Sequence, residues 1–517
     1  MNHDLDKVID THLFTDLKGI ITRGIIGFEK ESLRVKNTRI SQSQHPKSLG
    51  SALCNQHITT DFSEAQLEIV TPPLADKEKA FNLLEDIHHF ISCNIDDEIL
   101  WPFSMPVDII EEEIPIAYYG SSNLGVLKQT YRNGLSHRYG RIMQAISGLH
   151  YNYSVSEDLW TSLTFQKMEK DSKKARSAAY FNMLRNIYRI NWLILYLFGA
   201  SPILMKSFLT EDTKIFKKLD KKTLYLPYAT SLRMSNYGYQ NSNRKKLEVS
   251  VNSIDEYISD LRNAVNTVHP EFLKIQETNT RFQAQINKNI LQIDDEYYAV
   301  ARAKSKIVSD EQTTSKLNKG GVDFIELRSL DLNPFSRIGI DRETRDFIEV
   351  LLTYCFIKKG NYLTDHEIKA INHNDGLVAT KGREPKLELL KDGEPISLKD
   401  WGNQIIDRLL PIANLLDDDK DLYTHAVIQM RNKINDPSQT LSGRLLDKIS
   451  NLGTSFIEFG KETAEANKKH YLNLQESQNP NWDLLKKEAI DSHNKQKKLE
   501  QDDGESFQAY LKNYLNY

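Results

Sequence analysis

The chain has 517 residues, with 67 Lys+Arg against 71 Asp+Glu for a net charge of −4, and 23 Tyr and 20 Phe within a 39% hydrophobic composition. A charge so nearly balanced, with many aromatic side chains to fill a core, excludes a disordered chain and argues against a dedicated nucleic-acid binder, which carries a basic excess. At roughly 150 residues per domain the length would allow about three domains, but no Pro- or Gly-rich linker divides it.

In chain order, residues 1–16 lack a basic start followed by an apolar block, so no signal peptide is expected. Period-two alternation predicts strands at 28–35 and 66–70, and helical spacing predicts a helix over 77–100. Alternation returns at 149–154, helical patterns at 176–198 and 255–268, a strand at 324–330 and a helix at 341–357. This irregular order predicts an α+β fold with a largely antiparallel sheet, not a doubly wound one. The longest apolar stretch, 192–204, is broken by Gly199, Ser201 and Pro202. It is shorter than the about 20 residues that cross a bilayer, so no membrane partner is expected. Residues 360–401 are given no site. The tail from Lys461 is rich in Lys, Glu, Asn and Gln, reads as solvated helices or a loose end, and is assigned no chemistry.

Cys54, Cys93 and Cys355 form no CxxC pair. They are read as small buried residues of a protein in a reducing, cytoplasmic compartment. His88 and His89 are read as surface residues of their helix. No GxGxxG and no GxxxxGK[ST] occurs, so no dinucleotide fingerprint or Walker loop is present.

The four strands share a pattern. Glu29 and Glu31 lie on one face of the first, about 6.6–6.8 Å apart along the backbone. Gln66 and Glu68 oppose Leu67 and Ile69, His150 and Asn152 oppose Tyr151 and Tyr153, and Glu326 and Arg328 oppose Ile325 and Leu327. Either these are ordinary strands with a wet outer face, or the polar faces line one cleft gathering Glu29, Glu31, Asp61, Glu68 and Glu326. Carboxylates that close repel by about 4 kcal/mol per pair at 4 Å and a dielectric near 20. They need cations, and oxygen ligands suit Mg²⁺, while His150 would suit Mn²⁺ better or hydrogen-bond instead.

Ten segments carry a resemblance: GFEKESLRV (27–35), GSALCNQHITTDFSEAQLEIVTPP (50–73), WPFSMP (101–106), YYGSSNLG (118–125), TYRNGL (130–135), RYGRIMQAISGLHYNYS (138–154), YLFGASP (196–202), YLPYATSLRMSNYGY (225–239), LQIDDEYYA (291–299) and GGVDFIELRSLDLNPFSRIGID (320–341). In this order, over about 19–446, the chain resembles the proteobacterial glutamate–cysteine ligases. The resemblance implies a glutamine-synthetase-like carboxylate–amine ligase fold, its antiparallel sheet curved into a funnel and packed with helices. A single catalytic ligase domain over 1–460 is expected, with a polar, helical tail over 461–517 packed on it or extending from it.

The implied reaction joins the γ-carboxylate of L-glutamate to the amino group of L-cysteine at the expense of ATP, the first step of glutathione synthesis. A second ligase domain is lacking, so only that step is expected. By resemblance, Glu29, Glu31, Asp61, Glu68, His150 and Glu326 fall on metal positions for Mg²⁺, with Mn²⁺ as the alternative. Arg132 and Arg328 fall where cations meet the transferring phosphoryl group. Tyr131, Arg233, Tyr239 and Tyr298 match positions near the cysteine substrate, and Gln144 and Asn152 positions around glutamate. Relatives often read Arg-Pro-Lys where this chain has Ala301-Arg302-Ala303-Lys304, so a fixed kink is expected to be absent there. A monomer and feedback inhibition by glutathione are further expectations. The competing readings are a ligase for another amine, differing around Tyr131, Arg233 and Tyr239, and a non-catalytic homologue that binds glutamate or nucleotide.

Overall fold

The computed structural model describes residues 24–161, 172–209, 214–239, 247–276, 282–308 and 311–515. The segment read for a signal peptide lies outside them. Eight strands form the main sheet: β1 (Ile25–Lys36), β2 (Arg39–Ile40), β3 (Ile58–Thr60), β4 (Gln66–Val70), β5 (Ile99–Leu100), β6 (Leu149–Ser154), β7 (Ala301–Lys304) and β8 (Phe324–Leu330). The order is β7-β8-β6-β1-β4-β3, with β2 and β5 also on β1, and every pairing is antiparallel. The four strands read from alternation are therefore β1, β4, β6 and β8, at the centre of the sheet.

Their apolar faces are buried, as Phe28, Leu67, Ile69, Tyr151, Tyr153, Ile325 and Leu327 show. The helices that cover this face are α1 (Lys77–Asn94), α3 (Ser172–Phe198) and α5 (Arg342–Ile357), backed by α6 (Asp365–Lys381), α7 (Leu398–Leu416) and α8 (Leu422–Asn435). Between α1 and α3 in the chain comes α2 (Asn123–Tyr139), and between α3 and α5 comes α4 (Ile254–Asn266). Among the described residues no helix is long and apolar enough to cross a membrane.

Three expectations need correction. The helix read over 77–100 stops at Asn94, because Asp96 takes a left-handed φ of 41° and Ile99–Leu100 pairs with β1. His88 and His89 are buried, not surface residues. His88 faces β1, and His89 is covered by the C-terminal region, which folds as α9 (Phe456–Leu472), α10 (Trp482–Gln501) and α11 (Phe507–Leu515). His89 stacks on Tyr471 at 6.2 Å and meets Trp482 at 5.2 Å, while His88 Nε2 lies 2.7 Å from Lys30 Nζ. Finally, only Cys355 is a buried cysteine; Cys54 is half-buried and Cys93 exposed.

One buried carboxyl gives a stability prediction. Asp375 on α6 accepts a hydrogen bond from Asn191 Nδ2 at 2.7 Å, while its second oxygen has no partner. Burial pushes its pKa up to about 7. Its contribution to stability is complete below the ordinary Asp range and is lost as pH rises through about 7. Asp375→Asn should therefore match the parent at pH 4 and exceed it at pH 8, by up to about 4 kcal/mol. Melting curves across that range check this, and a difference independent of pH would contradict it.

Candidate active site

Antiparallel register builds the site. Glu29 pairs with His150, Glu31 with Glu68, and Glu326 with Asn152, so three strand pairings bring their polar side chains to one face. His150 Nδ1 lies 3.2 Å from Glu29 Oε2 and 3.4 Å from Glu326 Oε1, and its Nε2 lies 3.7 Å from Glu31 Oε1. Asn152 Nδ2 donates to Glu29 Oε1 at 2.8 Å, and Gly148 N donates to Glu31 Oε2 at 2.7 Å. Ligand atoms of Glu29, His150 and Glu326 all lie within 4.8 Å of one another.

The charges on this face follow from burial and neighbours. Burial, then the charge of Asp61, pushes Glu31 up to about 8. Glu68 is raised well above the carboxylate range by burial, then by Asp61, Glu29 and Glu31. His150 is lowered, first by burial and then by the Arg328 cation. For Glu326 burial also opposes ionisation, but Lys304, Arg328 and His150 overcome it and hold the carboxyl well below the usual range. Carboxylates this crowded favour a divalent cation. Glu326 Oε2 and Asn152 Oδ1 accept no hydrogen bond, although Lys304 Nζ lies 3.7 Å from the former.

Arg328 sits where the β8–β6 register shifts, between Leu327 and Leu330, an irregularity of the kind that re-aims a side chain. Its NH1 donates to Glu326 Oε1 at 2.9 Å, its guanidinium lies 5.9 Å from the Tyr298 ring, and its buried Nε has no partner. Arg132 is held from α2: Nε donates to the Asp61 carbonyl at 2.5 Å and NH1 to the Lys128 carbonyl, with the guanidinium 4.5 Å from the Tyr119 ring. Asp61 follows β3, and the Tyr119 hydroxyl donates to the carbonyls of Thr60 and Asp61.

Arg233, 1% exposed, donates from NH2 to the Arg328 carbonyl at 2.8 Å and lies 3.5 Å from Asp331 Oδ1 through NH1. Its guanidinium occupies the space a side chain on Gly148 would need. Tyr239 and Tyr298 stack at 4.6 Å, with Arg233 5.4 Å from the Tyr239 ring. Gln144 is buried with Nε2 unpartnered. Arg233, Tyr239, Tyr298 and Arg328 thus form one group. Tyr131, half-buried on α2, packs against the apolar cluster of Leu127, Ile286, Ile293 and Leu511 and against that of Leu135 and Ala145.

Sequence reasoning missed two charged residues here. Lys304 Nζ lies 3.7 Å from Glu326 Oε2 and 3.5 Å from Asp295 Oδ1. Its signal was the alternation in residues 301–304, which form β7 beside β8. Asp331 accepts from Ala200 N, Ser201 Oγ and Ser231 Oγ, anchoring the strand end beside Arg233. No sequence pattern marked it. Residues 360–401 are not remote from this region either. Leu363, Ile371 and Thr380 line a cavity of about 1170 Å³ that Tyr239 and Tyr298 also line.

The sequence model described as glutamate–cysteine ligase matches residues 12–378. A glutamate–cysteine ligase of Alcanivorax borkumensis is 39% identical over 95% of each chain, and one of Pseudomonas putida is 42% identical over 84% of this chain and 83% of its own. The crystal structure of a glutamate–cysteine ligase from Francisella tularensis in complex with AMP superposes with a TM-score of 0.90 at 34% identity, covering 96% of this chain and 98% of that one. A bifunctional glutathione synthetase from Pasteurella multocida gives a TM-score of 0.71 at 25% identity, covering 88% of this chain and 54% of that one. An open antiparallel sheet with this polar face defines a glutamine-synthetase-like carboxylate–amine ligase fold. Within that class, the chain belongs to the glutamate–cysteine ligase family.

Proposed function

We propose that this chain joins the γ-carboxylate of L-glutamate to the amino group of L-cysteine, splitting ATP to ADP and phosphate and releasing γ-glutamylcysteine, the first step of glutathione synthesis. The observation that carries the reading is the polar face of the sheet in a chain of this family: Glu29, His150 and Glu326 converge beside Arg328. A γ-carboxylate oxygen attacks the γ-phosphorus of ATP and ADP leaves. The amino nitrogen then attacks the acyl carbon of the resulting γ-glutamyl phosphate, phosphate leaves, and the nitrogen gives up a proton. Such phosphoryl transfer asks the protein for positioning and charge neutralisation.

Arg328 and Arg132 are assigned to the phosphoryl oxygens, for which planar guanidinium forks are suited. Arg233 is assigned to the acceptor's carboxylate, with Tyr131, Tyr239 and Tyr298 around it and Gln144 and Asn152 near glutamate. Glu29, Glu31, Asp61, Glu68, His150 and Glu326 would hold Mg²⁺, or Mn²⁺, which would supply charge neutralisation for the phosphoryl transfer. The His150 imidazole, held low by burial, is available as a neutral ligand or hydrogen-bonding group.

The deciding experiment is phosphate release from ATP with Mg²⁺ and L-glutamate, with and without L-cysteine, with the product identified by mass. Turnover dependent on cysteine with γ-glutamylcysteine formed is expected. Turnover with a different amine alone would move the acceptor. Because glutathione contains the γ-glutamylcysteine moiety, it is expected to inhibit in competition with glutamate. An apparent KM for glutamate that does not rise at millimolar glutathione would remove feedback from the reading. The enzyme is read as a cytoplasmic monomer, and one sedimenting species of about 59.7 kDa is expected.

A further inference from the structure

The last two helices reach the segments that frame the site. Ser51 N donates to Ser492 Oγ at 3.0 Å, and Ser51 Oγ donates to Gln496 Oε1 at 2.5 Å, tying α10 to the turn that leads into β3. Farther along α10, Glu500 Oε1 accepts from Ser121 N at 2.8 Å, and beyond its end Asp503 Oδ2 accepts from Asn123 N at 2.5 Å. Asn123 Nδ2 donates to the Glu505 carbonyl at 3.0 Å.

Ser121 and Asn123 flank Ser122, the N-cap of α2. Gly120, at φ 86°, leaves no room for a side chain beside Gln496 and Glu500. Two carboxylates therefore meet the positive end of α2 and satisfy backbone N–H groups there, one of them an N–H the helix itself cannot pair. α11 completes the contact, with Leu511 in one apolar cluster with Leu127 of α2, against which Tyr131 also packs.

α2 is the helix that carries Tyr131 and Arg132. We infer that Glu500 and Asp503 are positioning residues for this helix, setting where Arg132 and Tyr131 lie relative to the sheet. The inference rests on the reading of the site given above. Arg132 lies nine residues from Asn123, about 13.5 Å along the helix. A small pivot at the N-terminus therefore displaces the guanidinium, and a misplacement of about 1 Å can cost on the order of a hundredfold in rate.

The test uses the full chain with Glu500→Ala/Asp503→Ala, Asp503→Asn, and Lys497→Ala on the exposed side of α10 as control. Hydrogen exchange by mass spectrometry is read together with cysteine-dependent ATP turnover. The double variant should exchange faster over 119–132 but not over β1 or β8, with kcat/KM for cysteine down roughly tenfold. Asp503→Asn, whose amide oxygen still accepts the Asn123 N–H, should stay near the parent, as should the control. Unchanged exchange over 119–132 would overturn the inference, and so would faster exchange with kcat/KM unchanged. Faster exchange across the whole sheet would overturn it too, making these residues general stabilisers. The exchange arm needs no substrate, so a parent without turnover would refute the ligase reading while the hold on α2 is still decided.

Discussion

Arg328→Ala is expected to lower kcat for cysteine-dependent ATP turnover by about 10²–10³, the range for removing a preorganised group that meets developing charge. Three features set Arg328 apart from a surface cation. It is held at a register shift of β8, it donates to the buried carboxylate of Glu326, and its Nε has no protein partner. A guanidinium so placed has one donor already spent on orientation and others left for an oxyanion. The loss should fall mainly on kcat if the contact strengthens with phosphoryl transfer. Arg328→Lys should recover only part of it, because an ammonium cannot keep the fork geometry. Steady-state rates for the three forms, with circular dichroism as a folding check, decide the matter. Parent-like turnover in Arg328→Ala would mean the assignment is wrong.

Glu31→Gln should separate stability from function. In the metal-free protein Glu31 titrates near 8, because burial and then Asp61 disfavour its charge. A folded-state pKa above the unfolded one means stability that is complete below the ordinary Glu range and lost as pH rises through about 8. Gln removes that loss and can still accept the Gly148 N–H. The metal-free variant is therefore expected to be more stable than the parent at pH 8 by roughly a few kcal/mol, and close to it at pH 4. Its turnover should fall by about 10² or more, since a neutral amide is a poor ligand for Mg²⁺. Added Mg²⁺ should raise the parent's melting temperature more at pH 8 than at pH 6, because binding releases the protons held on Glu31 and Glu68. A parent whose melting is indifferent to Mg²⁺ and Mn²⁺ at every pH would remove the metal assignment for this face.

Glu326 and Arg328 were legible as neighbours because alternation puts residues two apart on one face. Glu29 with Glu31, and His150 with Asn152, were legible for the same reason. Alternation alone left their convergence as one of two readings, since it depends on β6 lying between β1 and β8, an order that no local pattern encodes; the family resemblance supplied it as an expectation. Lys304 escaped notice because β7 is four residues long and acquires meaning only from its pairing with β8. Asp331 looked like any residue after a strand until Ser201, Ser231 and Arg233, distant in the chain, closed around it.

The sequence by itself determined the class of fold, the central strands and which of their faces is polar, because period-two alternation is a local property of the chain. Its ten motif segments also determined the family. Only the tertiary structure decided that His88 and His89 are buried, that the tail braces α2, and that Arg233 stands between Asp331 and the Tyr239 ring. Each of these depends on which distant segment covers a residue, and the free energy of burial belongs to both partners of a contact, so neither sequence segment alone contains it.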